Sequence, residues 1–358
     1  MLKLTSLADL VTLDADTIID VRSPAEYAED HLPGAINLPV LDNEERARVG
    51  TIYKQQSPFL ARKIGAALVF RNAAHHVETR LATHDGGWRP LVYCWRGGQR
   101  SGAFTWMLKE IGWRAQVLSG GYKSYRRLVV RTLYDAPWPV PVIQLAGYTG
   151  TAKTELLARV AHHGVQMLDL EGLARHRGSI LGDLAEPQPS QKAFETALAM
   201  ELQGLDPARP VLVEAESSTI GDITLPPSLW AAMKDAPVIQ VKAPLEARAR
   251  YLSEVYADVL ADRARLKEKL HPLRRHRGHA LIDGWNDLID AGEMVTLCRS
   301  LAADHYDPAY EKSSGPLTPR VARTISVPAL DDPALEAAAA RIAAAVQEIS
   351  STPARSVI

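Results

Sequence analysis

The sequence places a cysteine at the end of a short apolar run and directly before a glycine-rich loop. The apolar residues 91–93 precede Cys94, and a helix-like run extends from Ser101 to Ile111. A strand, a loop and a helix N-terminus in this order direct backbone N–H groups and the helix dipole at one anion. The pattern predicts a strand–loop–helix unit in which Cys94 is a partly ionised, nucleophilic thiol. The predicted anion-binding residues of the loop are Arg96, Gly97, Gly98 and Arg100.

A second glycine-rich loop follows the strand-like residues 142–146 and opens another helix. This is the context of a phosphate-binding P-loop, in which backbone N–H groups surround a phosphate, a lysine neutralises it and a hydroxyl can hold Mg²⁺. Ala152 stands where the usual signature has glycine. Because alanine tolerates a helical backbone, we expect the loop to form with a less close fit to phosphate. The predicted diphosphate-binding residues are Gly147, Gly150, Lys153 and Thr154.

Three prolines at alternate positions, within residues 136–141, predict a domain boundary, since proline resists both helix and central strand. Strand-like and helix-like segments alternate on both sides of it, which predicts an α/β protein with parallel sheets. The expected parts are a first α/β domain at 1–135, a linker at 136–141, a P-loop NTPase-like domain at 142–312 and a C-terminal tail at 313–358. An alanine-rich helix is expected within that tail, over residues 331–349.

Composition restricts the chain to a folded protein of a reducing compartment. Of its 358 residues, 46% are hydrophobic and 23% are charged, and two cysteines exclude a disulfide framework. The N-terminus has no basic segment followed by a long apolar one, and no run approaches about 18 apolar residues. We therefore expect a cytoplasmic protein with no membrane span, and the net charge of −1 gives no global attraction to nucleic acid.

Carboxylates follow two of the strand-like runs in the second part of the chain, residues 165–168 and 211–213. The carboxyl ends of parallel strands border the ligand crevice of an open α/β sheet. Asp169, Glu214 and Glu216 are therefore candidates for acid–base catalysis or for Mg²⁺ binding. The 11 histidines show no metal-ligand spacing, so no metal centre is assigned.

Clustered polar and basic residues provide the remaining candidates. A cluster just after the Asp169 strand is predicted to contact a substrate phosphate, and it contains Arg175, His176, Arg177 and Ser179. Two basic runs are predicted to contact RNA, because clustered cations neutralise backbone phosphates. Their candidate residues are Lys123, Arg126, Arg127, Arg274, Arg275 and Arg277. Cys298 is expected to be a core residue.

Three segments of the first domain resemble a rhodanese: residues 20–27, residues 31–37 and the Cys94 loop. A rhodanese joined to a P-loop domain resembles the bacterial tRNA 2-selenouridine synthases. The resemblance spans residues 14–310, and Ala152 is its one departure. The supporting segments lie at residues 43–46, 53–55, 94–101, 176–179, 214–217, 220–221 and 305–307.

This resemblance implies two reactions on the wobble 2-thiouridine (U34) of tRNAs with Lys, Glu and Gln type anticodon arms. Geranyl diphosphate, held by the P-loop domain, first alkylates the sulfur; selenophosphate then supplies selenium, and the geranylated sulfur leaves. Cys94 is implied to carry selenium as a selanylsulfide. Mg²⁺ is a candidate cofactor, and selenophosphate synthetase is a candidate partner.

The two loops fit that chemistry by their residue types. Alkylation converts the sulfur from a poor leaving group into a thiol that departs readily. A diphosphate leaving group requires neutralisation, which Lys153 and the P-loop would supply. A soft selenium donor requires a soft nucleophile, which Cys94 provides.

The Cys94 loop alone leaves other chemistries open. Cys94 and Arg100 have the Cys-x5-Arg spacing of cysteine phosphatases, including a rhodanese-like group, although the P-loop domain would then be unexplained. A sulfurtransferase fused to a P-loop kinase would show persulfide transfer and ATP turnover. A non-enzymatic RNA-binding module is a third alternative, against which two intact reactive loops argue.

Overall fold

The computed structural model describes residues 1–314 and 320–351. Contacts divide the chain into two compact units, the first formed by residues 1–136 with 189–204 and the second by residues 137–188 with those from 205 onwards. Within the described ranges, no helix is both long and apolar enough to cross a membrane. The frayed C-terminus that the sequence predicts falls after residue 351, outside the described residues.

Up to residue 136, helices and short strands alternate, as the sequence predicts. The elements are α1 (Ala8–Val11), β1 (Thr17–Asp20), α2 (Pro24–Glu29), β2 (Ala35–Asn37), α3 (Asn43–Gln55), α4 (Pro58–Thr79), β3 (Pro90–Tyr93), α5 (Gln99–Ile111), β4 (Gln116–Val117), α6 (Gly121–Val130) and a π-helical turn (Arg131–Asp135). A capping box begins α2, because Ser23 and Glu26 exchange side chain–backbone contacts.

The four strands of the first unit form one parallel sheet in the order β2-β1-β3-β4. Ile19 lies opposite Val92, so the carboxyl ends of β1 and β3 share one edge. Asp20 and Arg22 form a buried ion pair there, with 2.6 Å between Nη2 and Oδ2. The same Nη2 donates to the Asp30 carbonyl, which ties the start of the rhodanese-like sequence to the loops beside Cys94.

The remaining chain begins with a strand directly after the proline-rich segment. Its elements are β5 (Val142–Gly147), α7 (Lys153–His162), β6 (Gln166–Leu168), α8 (Leu170–Ala174), α9 (Gln191–Gln203), β7 (Val211–Glu214), β8 (Thr219–Ile220), β9 (Ile223–Thr224), α10 (Pro227–Asp235), β10 (Val238–Lys242), α11 (Leu245–Val255), α12 (Ala257–Ala261), α13 (Arg263–Leu270), a 3₁₀ turn (His271–Leu273), α14 (Arg274–Arg277), α15 (His279–Ala291), α16 (Met294–Ser300), a π-helical turn (Leu301–Tyr306), α17 (Asp307–Ser314), β11 (Val321–Ser326) and α18 (Asp332–Ser351).

Five strands of the second unit form a parallel sheet in the order β11-β10-β5-β7-β6. β5 is buried along its whole length between β10 and β7, so the loop that follows it starts at the middle of the sheet. Helices α11, α12, α13, α15 and α16, with the turns next to them, build a separate core around Trp285. Cys298 is 4% exposed in that core, in agreement with the sequence interpretation.

The predicted domain boundaries differ from the structure in two places. First, β11 pairs with β10, and α18 packs on the apolar face of α7, so the expected tail completes the sheet and the core of the second unit. The alanine-rich helix is present, but it is buried on one side rather than peripheral.

Second, α9 belongs to the first unit although it lies in the sequence between β6 and β7. Its buried face includes Glu195 and Thr196 as well as apolar residues. Glu195 pairs with Arg126, and Thr196 donates to the Asp30 carboxylate at 3.0 Å. These polar contacts with residues more than 60 positions away hold the helix on the first unit.

Candidate functional site

Cys94 lies immediately after β3, at the base of the loop that leads into α5. The thiol is 3% exposed. The Gly98 N–H donates to Sγ at 3.3 Å, and the Ser101 hydroxyl donates to it at 3.2 Å. The sulfur therefore sits in the predicted ring of donors at the helix N-terminus.

These donors lower the pKa of the Cys94 thiol. Burial acts in the opposite direction and is the largest influence, because it disfavours a charged sulfur. Hydrogen bonds from the Ser101 side chain and backbone, the Arg100 charge and the Arg96 backbone N–H together outweigh burial. The thiol is therefore more acidic than an ordinary cysteine, as a nucleophile requires.

Glycines let two backbone segments meet beneath the Cys94 loop. Gly97 and Gly121 both have positive φ, at 64° and 55°. A Cβ on Gly121 would collide with the Cys94 carbonyl and the Gly97 N–H. This close approach brings the N-terminus of α6 against the loop, where the Tyr122 N–H donates to the Cys94 carbonyl at 2.9 Å.

The two arginines of the loop differ in their partners. Arg100 pairs with Glu26 at 2.9 Å, and Arg46 approaches the same carboxylate at 3.6 Å. Burial would raise the pKa of Glu26, but the Arg100 guanidinium holds it below its ordinary value. Arg96 is exposed, so its guanidinium is available to an anionic ligand.

A cavity of about 1020 Å³ opens against the cysteine, bounded by α3, α4 and α5. Cys94 lines it together with five cations, Arg46, Lys54, Arg62, Arg96 and Arg100. The lining is nevertheless mainly apolar, and its apolar residues include Leu41, Val49, Ala61, Ala66, Val69, Phe70 and Ala103. Short sequence motifs gave no sign of this cavity, because its walls come from three helices with ordinary apolar patterns.

The P-loop of the second unit follows β5 and leads into α7. Gly150 has φ +84°, and a Cβ there would lie 2.8 Å from the Leu252 side chain. Arg248 donates to the Thr149 carbonyl at 3.1 Å and pairs with Asp307. The buried Arg248, which sequence reasoning missed, thus fixes the outer turn of the loop.

Ala152 adopts a left-handed backbone, with φ 59° and ψ 32°. The prediction of a right-handed helical backbone is therefore wrong at this position. The usual signature has glycine here because glycine adopts a left-handed backbone without a steric penalty. A left-handed conformation costs about 1–2 kcal/mol for a residue with a Cβ. The loop forms in spite of this strain, with Ala152 buried.

Lys153 and Thr154 occupy the first turn of α7. The Lys153 ammonium donates to the Gly147 carbonyl at 3.2 Å, which folds the lysine back along the loop. The Thr154 hydroxyl donates to Glu171 at 3.1 Å. All four predicted diphosphate-binding residues are thus brought together by one strand–loop–helix unit.

Three carboxylates cluster beside this loop. Oxygen atoms of Glu171, Glu214 and Glu216 lie within 4.8 Å of one another. Among the described residues, neither carboxylate oxygen of Glu214 has a hydrogen-bond partner, although both are buried. Burial first, and then repulsion between neighbours, raises the pKa of each carboxyl, while the Lys153 charge opposes this for all three.

Glu171 replaces Asp169 in the expected carboxylate set. The Asp169 side chain caps α8 by accepting the Gly172 N–H at 2.7 Å. Glu171, two residues further on, takes the position in the cluster. The sequence Asp169-Leu170-Glu171 contains a signal that could have identified Glu171. An aspartate directly before a helix commonly caps it, and a glutamate in the first turn of that helix then lies beside the strand end.

The predicted substrate-phosphate cluster contacts protein groups in this structure. Arg175 pairs with Glu186, and His176 pairs with Asp183 at 3.3 Å. Arg177 is bound by both oxygens of Asp258. The Ser179 hydroxyl lies 3.0 Å from that of Tyr256. The substrate contact of Arg175, His176, Arg177 and Ser179 stays a prediction.

In each of the two predicted RNA-contacting runs, a carboxylate neutralises one of the three candidate cations. In the later run, Arg274 pairs with Asp283, and Arg277 donates to the side chain and carbonyl of His305. Arg275 is exposed on α14. In the earlier run, Arg126 pairs with Glu195, whereas Lys123 and Arg127 line an open groove.

Two family descriptions match the chain, one at each loop. A rhodanese-like domain matches residues 4–128, and the AAA domain of tRNA 2-selenouridine synthase matches residues 140–281. The cysteine loop and the P-loop therefore define a class of protein that joins a rhodanese-like domain to this AAA domain.

Curated relatives match over most of the chain. The tRNA 2-selenouridine synthase of Nitrosomonas europaea is 34% identical over 314 residues, which cover 83% of this chain and 80% of that protein. The synthase of Alcanivorax borkumensis is 34% identical, covering 84% and 90%. That of Salmonella paratyphi B is 41% identical, covering 68% and 66%. The chain belongs to the tRNA 2-selenouridine synthase family.

Proposed function

We propose that this protein converts 2-thiouridine of tRNA into 2-selenouridine in two reactions, one at each loop. The first attaches a geranyl group from geranyl diphosphate to the sulfur. The second replaces the S-geranyl group with selenium from selenophosphate. The names of the relatives support the overall conversion, and the geometry of the two sites supports this division of the chemistry.

The P-loop is proposed to hold the diphosphate of the geranyl donor. In this reaction the thiocarbonyl sulfur forms a bond to the geranyl C1, the C1–O bond breaks, and diphosphate leaves with both electrons. Lys153 and the loop N–H groups would stabilise the negative charge that grows on the departing oxygen. Arg248, held by Asp307, would keep the loop in place without further reorganisation.

The carboxylate cluster fits a divalent cation beside that diphosphate. Glu171, Glu214 and Glu216 offer hard oxygen ligands, and the Glu214 oxygens are buried without a hydrogen-bond partner in the described part of the chain. Thr154 adds a hydroxyl that contacts Glu171. Mg²⁺ held by these residues would neutralise the diphosphate. Lys153 alone cannot balance the charge of the diphosphate together with that of three nearby carboxylates.

Cys94 is proposed to release selenium from its donor. Its thiolate forms a bond to the phosphorus of selenophosphate, the Se–P bond breaks, selenide leaves with both electrons, and water then hydrolyses the phosphocysteine to phosphate. Selenide forms the C2–Se bond, the C2–S bond breaks, and the geranylated sulfur departs as a thiol, so that selenium stays at the selenide level throughout. A lowered thiol pKa makes Cys94 nucleophilic, and the exposed Arg96 would attract the phosphate of the selenium donor. Ser101 keeps the sulfur aimed into the cavity by its hydrogen bond.

The observation that carries this proposal is the apolar cavity whose wall contains the nucleophile. A thiosulfate sulfurtransferase or a phosphatase needs an anion loop, but neither needs about 1020 Å³ of mainly apolar space beside the sulfur. A ten-carbon geranyl chain attached to the reacting sulfur does need it. The cavity therefore favours a geranylated nucleoside as the substrate that meets Cys94.

Mass spectrometry of a 2-thiouridine anticodon stem-loop tests the proposal. The RNA is incubated with enzyme and with geranyl diphosphate, selenophosphate or both. We expect the geranylated RNA with the first donor alone, and the selenated RNA only with both. An unchanged RNA mass in all three incubations would refute the proposed function.

Two variants separate the half-reactions. Cys94→Ser should abolish selenation and leave geranylation intact. Lys153→Ala should slow geranylation by about a hundredfold, because it removes charge stabilisation of the leaving group. Normal selenation by Cys94→Ser would show that another group is the nucleophile.

A further inference from the structure

A basic groove lies on the α6 side of the first unit, next to the Cys94 loop. It has a volume of about 800 Å³, and five of its residues are cations, against a single carboxylate, Asp135. The cations are Lys3, Lys123, Arg126, Arg127 and Arg131. The groove therefore carries a strong local positive charge in a chain whose net charge is −1.

Four of these cations are free of carboxylate partners in the described part of the chain. The buried Glu195 neutralises Arg126. Arg131 donates to the Thr5 carbonyl at 3.1 Å, which orients the guanidinium without removing its charge. Lys3, Lys123 and Arg127 form no ion pair with any described carboxylate, and Lys3 and Arg127 are exposed. The groove thus holds four uncompensated cations, one of them, Arg131, oriented by a backbone contact.

Trp95 connects this groove to the catalytic cavity. Trp95 is a lining residue of both the basic groove and the mainly apolar cavity that contains Cys94. The ring packs on Tyr122 with 5.3 Å between centroids, and the Lys123 N–H donates to the Trp95 carbonyl at 2.9 Å. A half-buried aromatic ring is therefore held between an array of cations and the reactive sulfur.

We propose that the groove binds the single-stranded backbone of the anticodon loop, with a base stacked on Trp95 and the neighbouring nucleotide extended toward Cys94. This rests on the proposed function, because it assigns a binding site to the RNA substrate of that reaction. Single-stranded RNA is bound by cations along its phosphates and by aromatic rings on its bases. A paired duplex would offer phosphates but no free base to Trp95.

Binding of a fluorescently labelled, unmodified anticodon stem-loop to the full chain tests this site, with anisotropy measured at several salt concentrations. The triple variant Lys3→Ala/Lys123→Ala/Arg127→Ala should bind at least tenfold more weakly at low salt. The slope of log K against log salt concentration should be shallower by about 2 for this variant, because three phosphate contacts to a single strand are lost. No selenium or geranyl donor is present, so the result is independent of the donor chemistry.

A matched triple variant supplies the control for charge. Arg80→Ala, Lys109→Ala and Arg114→Ala remove the same charge from exposed positions of the same unit that line neither cavity. This variant should bind RNA within twofold of the unsubstituted protein. Equal weakening by both triple variants, or no weakening by the groove variant while its melting temperature is unchanged, would overturn the proposal.

Base stacking on Trp95 is tested by comparing an RNA that has a single-stranded loop with a fully paired RNA. Trp95→Ala should weaken binding of the stem-loop about tenfold, through loss of base stacking, and should leave the salt dependence unchanged. Trp95→Phe should restore most of the affinity, and a fully paired RNA duplex should bind all three forms equally. A loss of duplex binding equal to the loss of stem-loop binding would contradict stacking at Trp95.

Discussion

At the scale of single residues, Cys94 and Ala152 each have a property that their loop imposes on them, a lowered thiol pKa for Cys94 and a left-handed backbone for Ala152. Cys94 is nearly inaccessible, yet hydrogen bonds and a nearby cation lower its pKa against the effect of burial. Ala152 has an unfavourable backbone that the surrounding P-loop imposes. Both residues hold their positions because many neighbouring contacts fix them.

The lowered thiol pKa gives Cys94 a characteristic pH dependence. Its thiolate should persist as pH falls below the range in which an ordinary cysteine is already protonated. Ser101→Ala removes a donor to the sulfur and should raise the pKa, which moves the alkylation profile to higher pH. The rate of iodoacetamide modification as a function of pH, measured in a Cys298→Ala background, checks this. Coincident profiles for the two proteins would exclude a role for Ser101 in thiol acidity.

Relief of strain at Ala152 should stabilise the second unit. Ala152→Gly removes the left-handed cost of about 1–2 kcal/mol but adds freedom to the unfolded chain, so we expect a net gain of about 0.5–1 kcal/mol in the free energy of unfolding. Urea denaturation measures the change. Ala158→Gly, at an exposed position inside α7, is the matched control and should destabilise by about 1 kcal/mol.

At the scale of elements, sequence patterns predicted most helices and strands but could not assign every one to its unit. Strand–loop–helix patterns located β3 with α5 and β5 with α7, because glycine spacing and apolar runs are local signals. The apolar face of α9 predicts a helix but carries no information about its partner. Its attachment depends on contacts of Glu195 and Thr196 with distant residues, which only the fold reveals.

The same limit applies to the candidate site. The cysteine loop and the P-loop were predictable because each is continuous in sequence. Glu171 and the apolar cavity were not, since the first depends on which carboxylate caps α8 and the second on how three helices meet. The sequence also could not predict which cations of the two basic runs are neutralised, because the carboxylates that pair with them lie on other elements.

Helix α4 provides a direct test of the cavity. Ala66 lines it, whereas the neighbouring Ala67 is exposed and does not. Ala66→Trp should lower kcat/KM for selenation of geranylated RNA about tenfold or more, since excluding two methylene groups costs about 1.6 kcal/mol. Ala67→Trp is the matched control and should retain activity. Equal rates for these two variants in single-turnover selenation would contradict binding of the geranyl chain there.

At the scale of the whole molecule, the chain carries two chemically different reactive loops on two parallel sheets. One sheet carries a cysteine with a lowered thiol pKa beside a mainly apolar cavity, and the other carries the P-loop beside three clustered carboxylates. Each set of residues suits one half of the proposed conversion and not the other. In the proposed conversion, the intermediate that joins the halves is the geranylated RNA.

Mixing two defective proteins tests whether that intermediate is released. Cys94→Ser retains the geranylation residues, and Lys153→Ala retains the selenation residues. An equimolar mixture supplied with both donors should form selenated RNA. Cys94→Ser alone should form none, and Lys153→Ala alone should form it about a hundredfold more slowly than the unsubstituted protein. Lys153→Ala must also selenate RNA that was geranylated beforehand, which shows that its second site is intact. Failure of the mixture with that control positive would mean that the intermediate does not leave the protein that makes it.

The route of the chain through α9 has a consequence for how the protein is made. The first unit is discontinuous, because its last helix is translated only after β5, α7 and β6 of the second unit. A ribosome that has released residues 1–136 has therefore not released Thr196 and Glu195, which contact the Asp30 and Arg126 side chains. Completion of the first unit must wait until residue 204 emerges, with part of the second sheet already present on the nascent chain.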